Sequence, residues 1–345
     1  MSTQIDSQFG IGLETMYGTP VAPTRFFESE GKIDTKPKYV DSSVLQPFTR
    51  VKRLDQHIRV QQKVSGDQEL DIPISGFGFL LHAAFGNSAI SQLKAADNIT
   101  PVQAWQQIHT LSLNDFLPSY TIQELLPLLG GEQKPHSFTG CQVDTLEIDA
   151  KAAAAVTAKI SWSGRDIDTT LQPAAASYPD DQSIFTFISG SLGYQGTLTP
   201  PTATALASLD KPAATNVTAV TVTVKNGLDG NGFTLGGQGL RQRPQALGIA
   251  EVSVKLTVEF TDTILRDAFL YGTPLPLLLT FLGEQDIAPG IKPALQIILP
   301  AVAITSGLPQ SNGGDVISVD TELTALDDGS HDPLTIALVS GDSAF

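Results

Sequence analysis

Between residues 250 and 260 apolar and polar side chains alternate without a break: Ala250, Glu251, Val252, Ser253, Val254, Lys255, Leu256, Thr257, Val258, Glu259, Phe260. A strand turns successive side chains to opposite faces, so this run places Val252, Val254, Leu256, Val258 and Phe260 together and predicts a half-buried strand. The same period of two recurs at 69–74, 142–149, 156–162, 219–224 and 316–322, and 183–193 is strand-like as well. Clusters of Gly, Pro, Asn and Asp separate these runs, as turns require. The chain is predicted to be mainly β.

Two short helices interrupt the strands. One covers 77–85 and stops at Gly86; the other covers 263–271 and stops at Gly272, with Asp262 placed to cap its start. Each helix follows a strand, and each strand follows a polar stretch with clustered cations. These are Arg50, Lys52, Arg53, Arg59 and Lys63 in the first case, Arg241 and Arg243 in the second. The repeated order of basic loop, strand, glycine-terminated helix and further strands predicts an internal duplication in units of roughly 150 residues. The layout that follows is an N-terminal arm at 1–30, a first β domain at 31–166, a linker at 167–182 and a second β domain at 183–345. The linker has no periodicity, and a Thr-, Ala- and Pro-rich exposed loop is expected at 197–216.

With 345 residues, 41% of them apolar and 17% charged, the chain can bury one large core or two ordinary ones. No apolar run reaches the roughly 18 residues that span a bilayer. Residues 1–6 lack a basic segment followed by an apolar one, which predicts a protein made and kept in the cytosol. Cys141 is the single cysteine, so no intrachain disulfide forms; it opens a strand pattern and reads as a small buried apolar residue. The formal charge of −15 opposes sequence-specific nucleic-acid binding, which needs Lys and Arg to meet phosphates.

No motif for chemistry emerges. Gly10-x-Gly12 and Gly18 have neither the preceding strand nor the spacing of a dinucleotide loop. The segment 327–332 is rich in oxygen ligands but lacks the alternating acidic spacing and distal Glu of a calcium loop, and reads as a solvated hairpin turn. The glycines of 226–232 suit turns, with no phosphate-binding lysine after them. His57, His82, His109, His136 and His331 share no paired spacing. We therefore expect no catalytic residue, no cofactor and no metal. The cations between Arg50 and Lys63 fit a solvated loop or a protein contact better than a nucleic-acid patch, because aromatic interleaving is limited to Phe48.

Three segments carry a family resemblance: 9–28, beginning Phe9-Gly10-Ile11-Gly12-Leu13-Glu14-Thr15; 64–66 leading into Gly76-Phe77-Gly78-Phe79-Leu80-Leu81; and 138–144 followed by Ile160-Ser161-Trp162-Ser163-Gly164-Arg165-Asp166. In these the chain resembles the siphophage major tail tube proteins. The resemblance covers about half of the chain and fades at 197–216 and 227–237. It implies two packed β-sheets flanked by a helix, inner sheets that join between subunits into a continuous barrel, and rings that stack head to tail into the DNA-ejection channel of a long non-contractile tail. For a duplicated member it implies three chains per ring with pseudo-sixfold symmetry, a hexamer being the alternative. It also implies assembly in the bacterial cytoplasm, a final place in the virion tail, and tape-measure, tail terminator and distal tail proteins as partners. Double-stranded DNA would pass transiently, and no membrane is involved.

On that reading Arg50, Lys52, Arg53, Arg59, Lys63, Arg241 and Arg243 are candidates for the contact between stacked rings, where cations meet an acidic neighbour. Tyr17, Phe26 and Phe27 are candidates for anchoring the arm on an adjacent subunit. Asp67, Glu69, Asp71, Glu251 and Glu259 are candidates for the channel wall, an acidic surface to which passing DNA does not stick; a one-residue slip of register would turn them outward. The competing reading is a non-enzymatic β-sandwich module that binds carbohydrate or a cell surface. Two Trp and six Tyr give it little with which to stack sugars.

Overall fold

The computed structural model describes residues 7–345 apart from 42, 44–46, 48–49, 96–98, 129–131, 180–182, 307 and 309–316. Residues 1–6, Phe48 and Thr49 of the basic loop, 180–182 of the expected linker and Val316 of the last expected strand lie outside the described residues. No helix among those described is long and apolar enough to cross a membrane.

The first half contains β1 (Gln8–Leu13), β2 (Arg25–Phe26), β3 (Glu30–Val40), β4 (Ile58–Asp71), α1 (Phe77–Phe85), β5 (Gly86–Lys94), β6 (Pro101–Leu111), β7 (Tyr120–Pro127), β8 (Gln133–Lys151), β9 (Val156–Gly164) and β10 (Asp166–Asp168). The second contains β11 (Gly190–Gly193), β12 (Leu198–Thr199), β13 (Ser208–Leu209), β14 (Val217–Lys225), β15 (Glu251–Glu259), α2 (Ile264–Tyr271), β16 (Leu275–Leu282), β17 (Ala294–Ser306), β18 (Ser318–Ala325) and β19 (Thr335–Ser340). The fold is mainly β, and every ladder is antiparallel.

Six ladders of the first half recur in the second in the same order. The pairs β1–β7, β3–β4, β4–β9, β7–β8, β8–β9 and β8–β10 correspond to β11–β16, β14–β15, β15–β18, β16–β17, β17–β18 and β17–β19. The irregularities recur too. The step between Tyr120 and Ile122 matches that between Leu275 and Leu277, and the step between Val143 and Thr145 matches that between Ile304 and Ser306. A bulge bends a strand and re-aims its ladder. Here β8 and β17 each leave one sheet and enter the other across it: β8 pairs with β7 up to Cys141 and with β9 from Gln142 onward.

The halves are joined by two further ladders. In one sheet β14 lies against the distal part of β8, giving the eight-stranded order β3-β4-β9-β8-β14-β15-β18-β17. In the other, the β5–β6 hairpin of the first half adds to β19 of the second. Side chains from both sheets meet in one core that includes Ile11, Ile122, Phe138, Val64, Ile160 and Trp162. Tyr120 packs edge-on against Phe79 and Trp162 within it.

The helices differ. All of α1 is buried except His82, whereas in α2 only Ala268 is buried. The second helix starts one residue later than its sequence suggests: Thr263 occupies the cap position, and the carboxylate of Asp262 accepts the Ile264 amide at 3.0 Å. Both end on a left-handed glycine, Gly86 and Gly272, as expected. The stretch 197–216 is mostly exposed, but it also carries the β12–β13 pair and packs Ala207, Leu206 and Leu209 onto Leu278, Ile298 and Ala337. Of the expected linker, 166–168 forms β10, and the Ala174 amide donates to Gln123.

Candidate functional site

One face of the eight-stranded sheet packs on the core and the other is open. Residues directly opposite in neighbouring strands share a face, so the registers define rows across it. One row runs Lys32, Asp67, Ser161, Thr145, Lys225, Glu251; a second runs Glu30, Glu69, Lys159, Glu147, Thr223, Ser253, Thr324; a third runs Asp71, Thr157, Asp149, Thr221, Lys255, Glu322. All are polar. Asp67, Glu69, Asp71, Glu251 and Glu259 therefore lie on this single open face, contributed by both halves. Lysines are dispersed among the acids: Lys159 reaches Glu69 at 3.1 Å, Lys225 reaches Glu251 at 3.7 Å and Lys255 reaches Glu322 at 3.1 Å. Exposed pairs of this kind contribute little stability but keep the face hydrated, and the apolar side chains that the registers bring to it, Ala219 and Ala303, are small.

The sheet ends in two edges. At one, β3 pairs with β4 on one side only among the described residues. Two of its amides are met by side chains: Ile33 donates to Glu124 at 3.1 Å and Thr35 to its neighbour Asp34 at 2.7 Å. Burial pushes the Glu124 carboxyl up to about 7, the Ile33 amide opposes that shift, and Asp34 adds to it. An inward-pointing charge is a recognised guard on a free strand edge. At the other end, residues 303–306 of β17 pair only with β18 among the described residues.

The junction between the halves is built on buried polar groups. Glu14 follows β1, and its carboxylate accepts from the amides of Gly18 at 2.7 Å and Gly140 at 2.8 Å and from the hydroxyls of Ser119 at 2.8 Å and Thr121 at 2.9 Å. Four donors satisfy a carboxylate out of water and pin the arm to β7 and β8. Arg165 lies beside it: its Nε donates to the Arg241 carbonyl at 2.7 Å, and its side chain packs where a side chain at Gly140 or Gly18 would sit. Both glycines have positive φ, so Arg165 occupies space that only glycine leaves open. Tyr17 is close by, and burial holds its hydroxyl well above the usual tyrosine range. Across the same seam the side chain of Asn226, at the end of β14, donates to the carbonyls of Ala84 at 2.9 Å and Val143 at 3.0 Å. The segment after it continues over the first half, where the Gln245 amide meets Gln142 at 2.7 Å and that of Leu247 meets the Asp115 carbonyl at 2.9 Å.

The arm residues Tyr17, Phe26 and Phe27, expected as anchors on a neighbouring subunit, are anchors within the chain. Pairing of β1 with both β2 and β7 carries the arm back over its own domain, which buries Phe26 and Phe27. The cations divide into two groups. Arg50, Lys52, Arg53, Arg59 and Lys63 are exposed or half-buried on the β3–β4 hairpin, where Lys52 pairs with Asp41 at 2.6 Å, Arg53 pairs with Asp55, and Arg59 donates to Gln62 at 2.6 Å. Arg241 is 2% exposed and donates to the carbonyls of Asp229 and Asn231, while Arg243 pairs with Asp229 at 2.6 Å. The two groups meet at one ring, Phe233, with Lys63 at 5.6 Å and Arg241 at 5.2 Å from its centre.

Glu14, Arg165, Glu124 and Asn226 escape sequence reasoning. Asn226 sits in a Gly-rich run that reads as a turn, and nothing in the local period marks a lone buried polar residue. Cys141 is fully buried, and burial pushes its thiol up. His109 is buried and held down to about 3, mainly by desolvation. No group of three or more potential metal ligands occurs among the described residues. The features that distinguish the site among the described residues are a surface and a seam.

No curated protein matches the chain. The family model described as phage tail tube protein matches residues 4–325, which spans both halves and all the ladders described above except those of β19. With nearly its whole length matched, this mainly β chain belongs to the phage tail tube protein family and is a structural component of a phage tail.

Proposed function

We propose that the chain is the major tube subunit of a long non-contractile tail and that it polymerises into stacked rings around the path of double-stranded DNA. The observation that carries this is the β8–β14 ladder, in which residues 145–151 of one half pair with 219–225 of the other. The recurring ladders support an internal duplication. Under that equivalence β3 corresponds to β14, and β17 from Ser306 corresponds to β8 from Thr145. The two ends of the eight-stranded sheet are then the two sides of the same joint, left open because the next half belongs to another chain. Three chains close the ring, and closure removes both edges. Closed lateral pairing limits growth sideways, while heterologous contacts along the axis give a filament.

The open face lines the channel on this reading. Its acids outnumber its lysines, so it offers phosphates little counter-charge and lets the duplex slide. The exposed cations Arg50, Lys52, Arg53, Arg59 and Lys63 are placed on the projecting β3–β4 hairpin, where they meet the acidic body of the adjacent ring. Arg241 and Arg243 serve the joint inside the chain. Tail terminator and distal tail proteins cap the two ends of such a tube, and a tape-measure protein fills it before DNA does.

The test is electron microscopy of the purified chain at rising concentration, with rotational averaging of end-on views. Hollow tubes with three chains per ring are the expected result. Six chains per ring would retain the tube and overturn the joint proposed for the sheet ends. Monomers that persist at high concentration, with the other tail proteins added, would overturn the tube itself.

A further inference from the structure

The same equivalence assigns a partner to an apolar surface that the isolated chain leaves uncovered. The helices end alike at Gly86 and Gly272, so Ala84 and Phe85 correspond to Leu270 and Tyr271. Ala84 and Phe85 are fully buried, whereas Leu270 is 57% and Tyr271 81% exposed. Part of the cover on α1 comes from the other half of the chain: Asn226 caps the Ala84 carbonyl, and the segment after it crosses to residues 112–118. The second helix has the larger side chains at these positions and no such cover among the described residues.

In the hairpin registers Lys225 lies opposite Glu251 and Val222 opposite Val254, while Lys36 lies opposite Lys63 and Ile33 opposite Gly66. Lys36 is therefore the counterpart of Lys225, and Pro37 that of Asn226. After Lys225 the chain turns down onto the first half. After Lys36 it goes straight on as strand, paired up to Val40 and Ile58, and the β4 side of this hairpin touches the rest of the chain where the Gln62 amide donates to the Gly239 carbonyl at 2.9 Å. The base of this projecting hairpin carries its own uncovered apolar set: Tyr39, Val40, Ile58 and Val60 are 42 to 60% exposed. Two exposed apolar patches thus sit at or next to Leu270 and Pro37, whose counterparts Ala84 and Asn226 are hydrogen-bonded within the chain. Exposed sets of this sort on a soluble subunit mark contact surfaces.

We propose that Leu270 and Tyr271 are covered by the base of the β3–β4 hairpin, Pro37–Val40 and Ile58–Val60, of a second copy of this chain in the same ring. This rests on self-assembly through the sheet ends and adds to it a second, side-chain layer of the lateral joint. It also divides the hairpin: the apolar side chains of its base belong to the neighbour within the ring, and its cations, from Arg50 to Lys63, to the ring beyond.

The test pairs Tyr39→Cys with Leu270→Cys in one chain, which is clean because the only native thiol, that of Cys141, is buried. Tubes verified by microscopy are treated with a short bismaleimide and run on a denaturing gel. Covalent multimers that stop at the number of chains in one ring are expected, with none from either single variant. Intact tubes without cross-links, or a ladder that continues past the ring number, would overturn the assignment while leaving the tube reading in place. Absence of tubes from the unsubstituted chain would overturn the tube reading. If the cysteine variants fail to assemble, hydroxyl-radical footprinting of unsubstituted tubes decides. Oxidation at Tyr271 and Tyr39 should fall several-fold relative to the monomer, and undiminished oxidation of both would sink the proposal.

Discussion

The helices α1 and α2 stand at the same point of two matching strand networks, yet one is sealed in the core and the other is half-buried and leaves Leu270 and Tyr271 in water. Local sequence explains part of the difference. Residues 77–85 read Phe-Gly-Phe-Leu-Leu-His-Ala-Ala-Phe, apolar nearly all round, as a helix buried on every side requires; residues 264–271 read Ile-Leu-Arg-Asp-Ala-Phe-Leu-Tyr, with charges on one side. Packing explains the rest. The β5–β6 hairpin, β8 and the cap from Asn226 all lie on α1, whereas α2 rests mainly on β17. What the comparison teaches is that a contact completed inside the chain at one joint is left open at the other. In the assembly proposed above, an apolar pair such as Leu270 and Tyr271 is a joint that a neighbouring chain completes.

The largest expected effect tests that contrast directly. Phe85→Ala empties a fully buried site and should cost about 3–5 kcal/mol in the isolated chain. Tyr271→Ala at the matching position should change the same denaturation free energy by no more than about 0.5 kcal/mol, since an exposed ring has little packing to lose. Chemical denaturation of dilute monomer reads both. Equal costs at the two positions would mean that α2 is already covered within the chain.

Much of this fold is legible in the sequence, and the limits have physical causes. Strands with one wet face announce themselves by their alternation: β15 and β9 appear within a residue or two of their places. In β8 the alternation holds only for its distal part. From Ser137 to Val143 the strand is buried without a break as it passes between sheets, and a strand covered on both faces has no period to read. The acids of the open face follow from the pattern once the register is known. The seam does not, because Glu14, Arg165 and Asn226 bond to residues from 76 to 142 positions away. Local spacing carries no trace of such partners. The arm shows the same limit: aromatic residues at a turn-rich terminus look equally like anchors for a neighbour or for the body they belong to.

A smaller effect probes the strands beside the helices. Gly66 of β4 lies opposite Ile33, while its counterpart Val254 lies opposite Val222 with side chains on both strands. A Cβ at Gly66 would sit 2.2 Å from the Lys32 carbonyl oxygen and 2.5 Å from the Ile33 Cα, so Gly66→Ala forces β3 away from β4. A cost of about 1–3 kcal/mol is expected. Amide hydrogen exchange should quicken across β3 and stay unchanged across β14. Protection of β3 equal to that of the parent chain would show that the strand yields without strain.

The smallest effect concerns the guard on the free edge. Leu279 of β16 stands where β7 has Glu124, and beside Leu279 the counterpart strand is already paired. Glu124 titrates near 7, above the ordinary 4.5, because burial disfavours its charge and Asp34 reinforces that effect; Glu28 and Glu30 line the same crevice. Between those values the folded chain holds a proton that the unfolded chain has lost, so this group makes stability fall as pH rises from about 4.5 to about 7. The half-buried His82 and the buried His109 act in the opposite sense, since both are held below 6.5 in the folded chain and unfolding lets them take up protons. The net slope of the parent chain is therefore uninformative, and the difference from Glu124→Gln is the quantity to measure. That variant keeps an acceptor for the Ile33 amide and removes the charge. It should be more stable than the parent at pH 8 by about 1–2 kcal/mol, with the advantage gone by pH 4.5. A constant offset at all pH values would mean that the carboxylate does not titrate at the edge, and would leave the guard on β3 to the Asp34 bond alone.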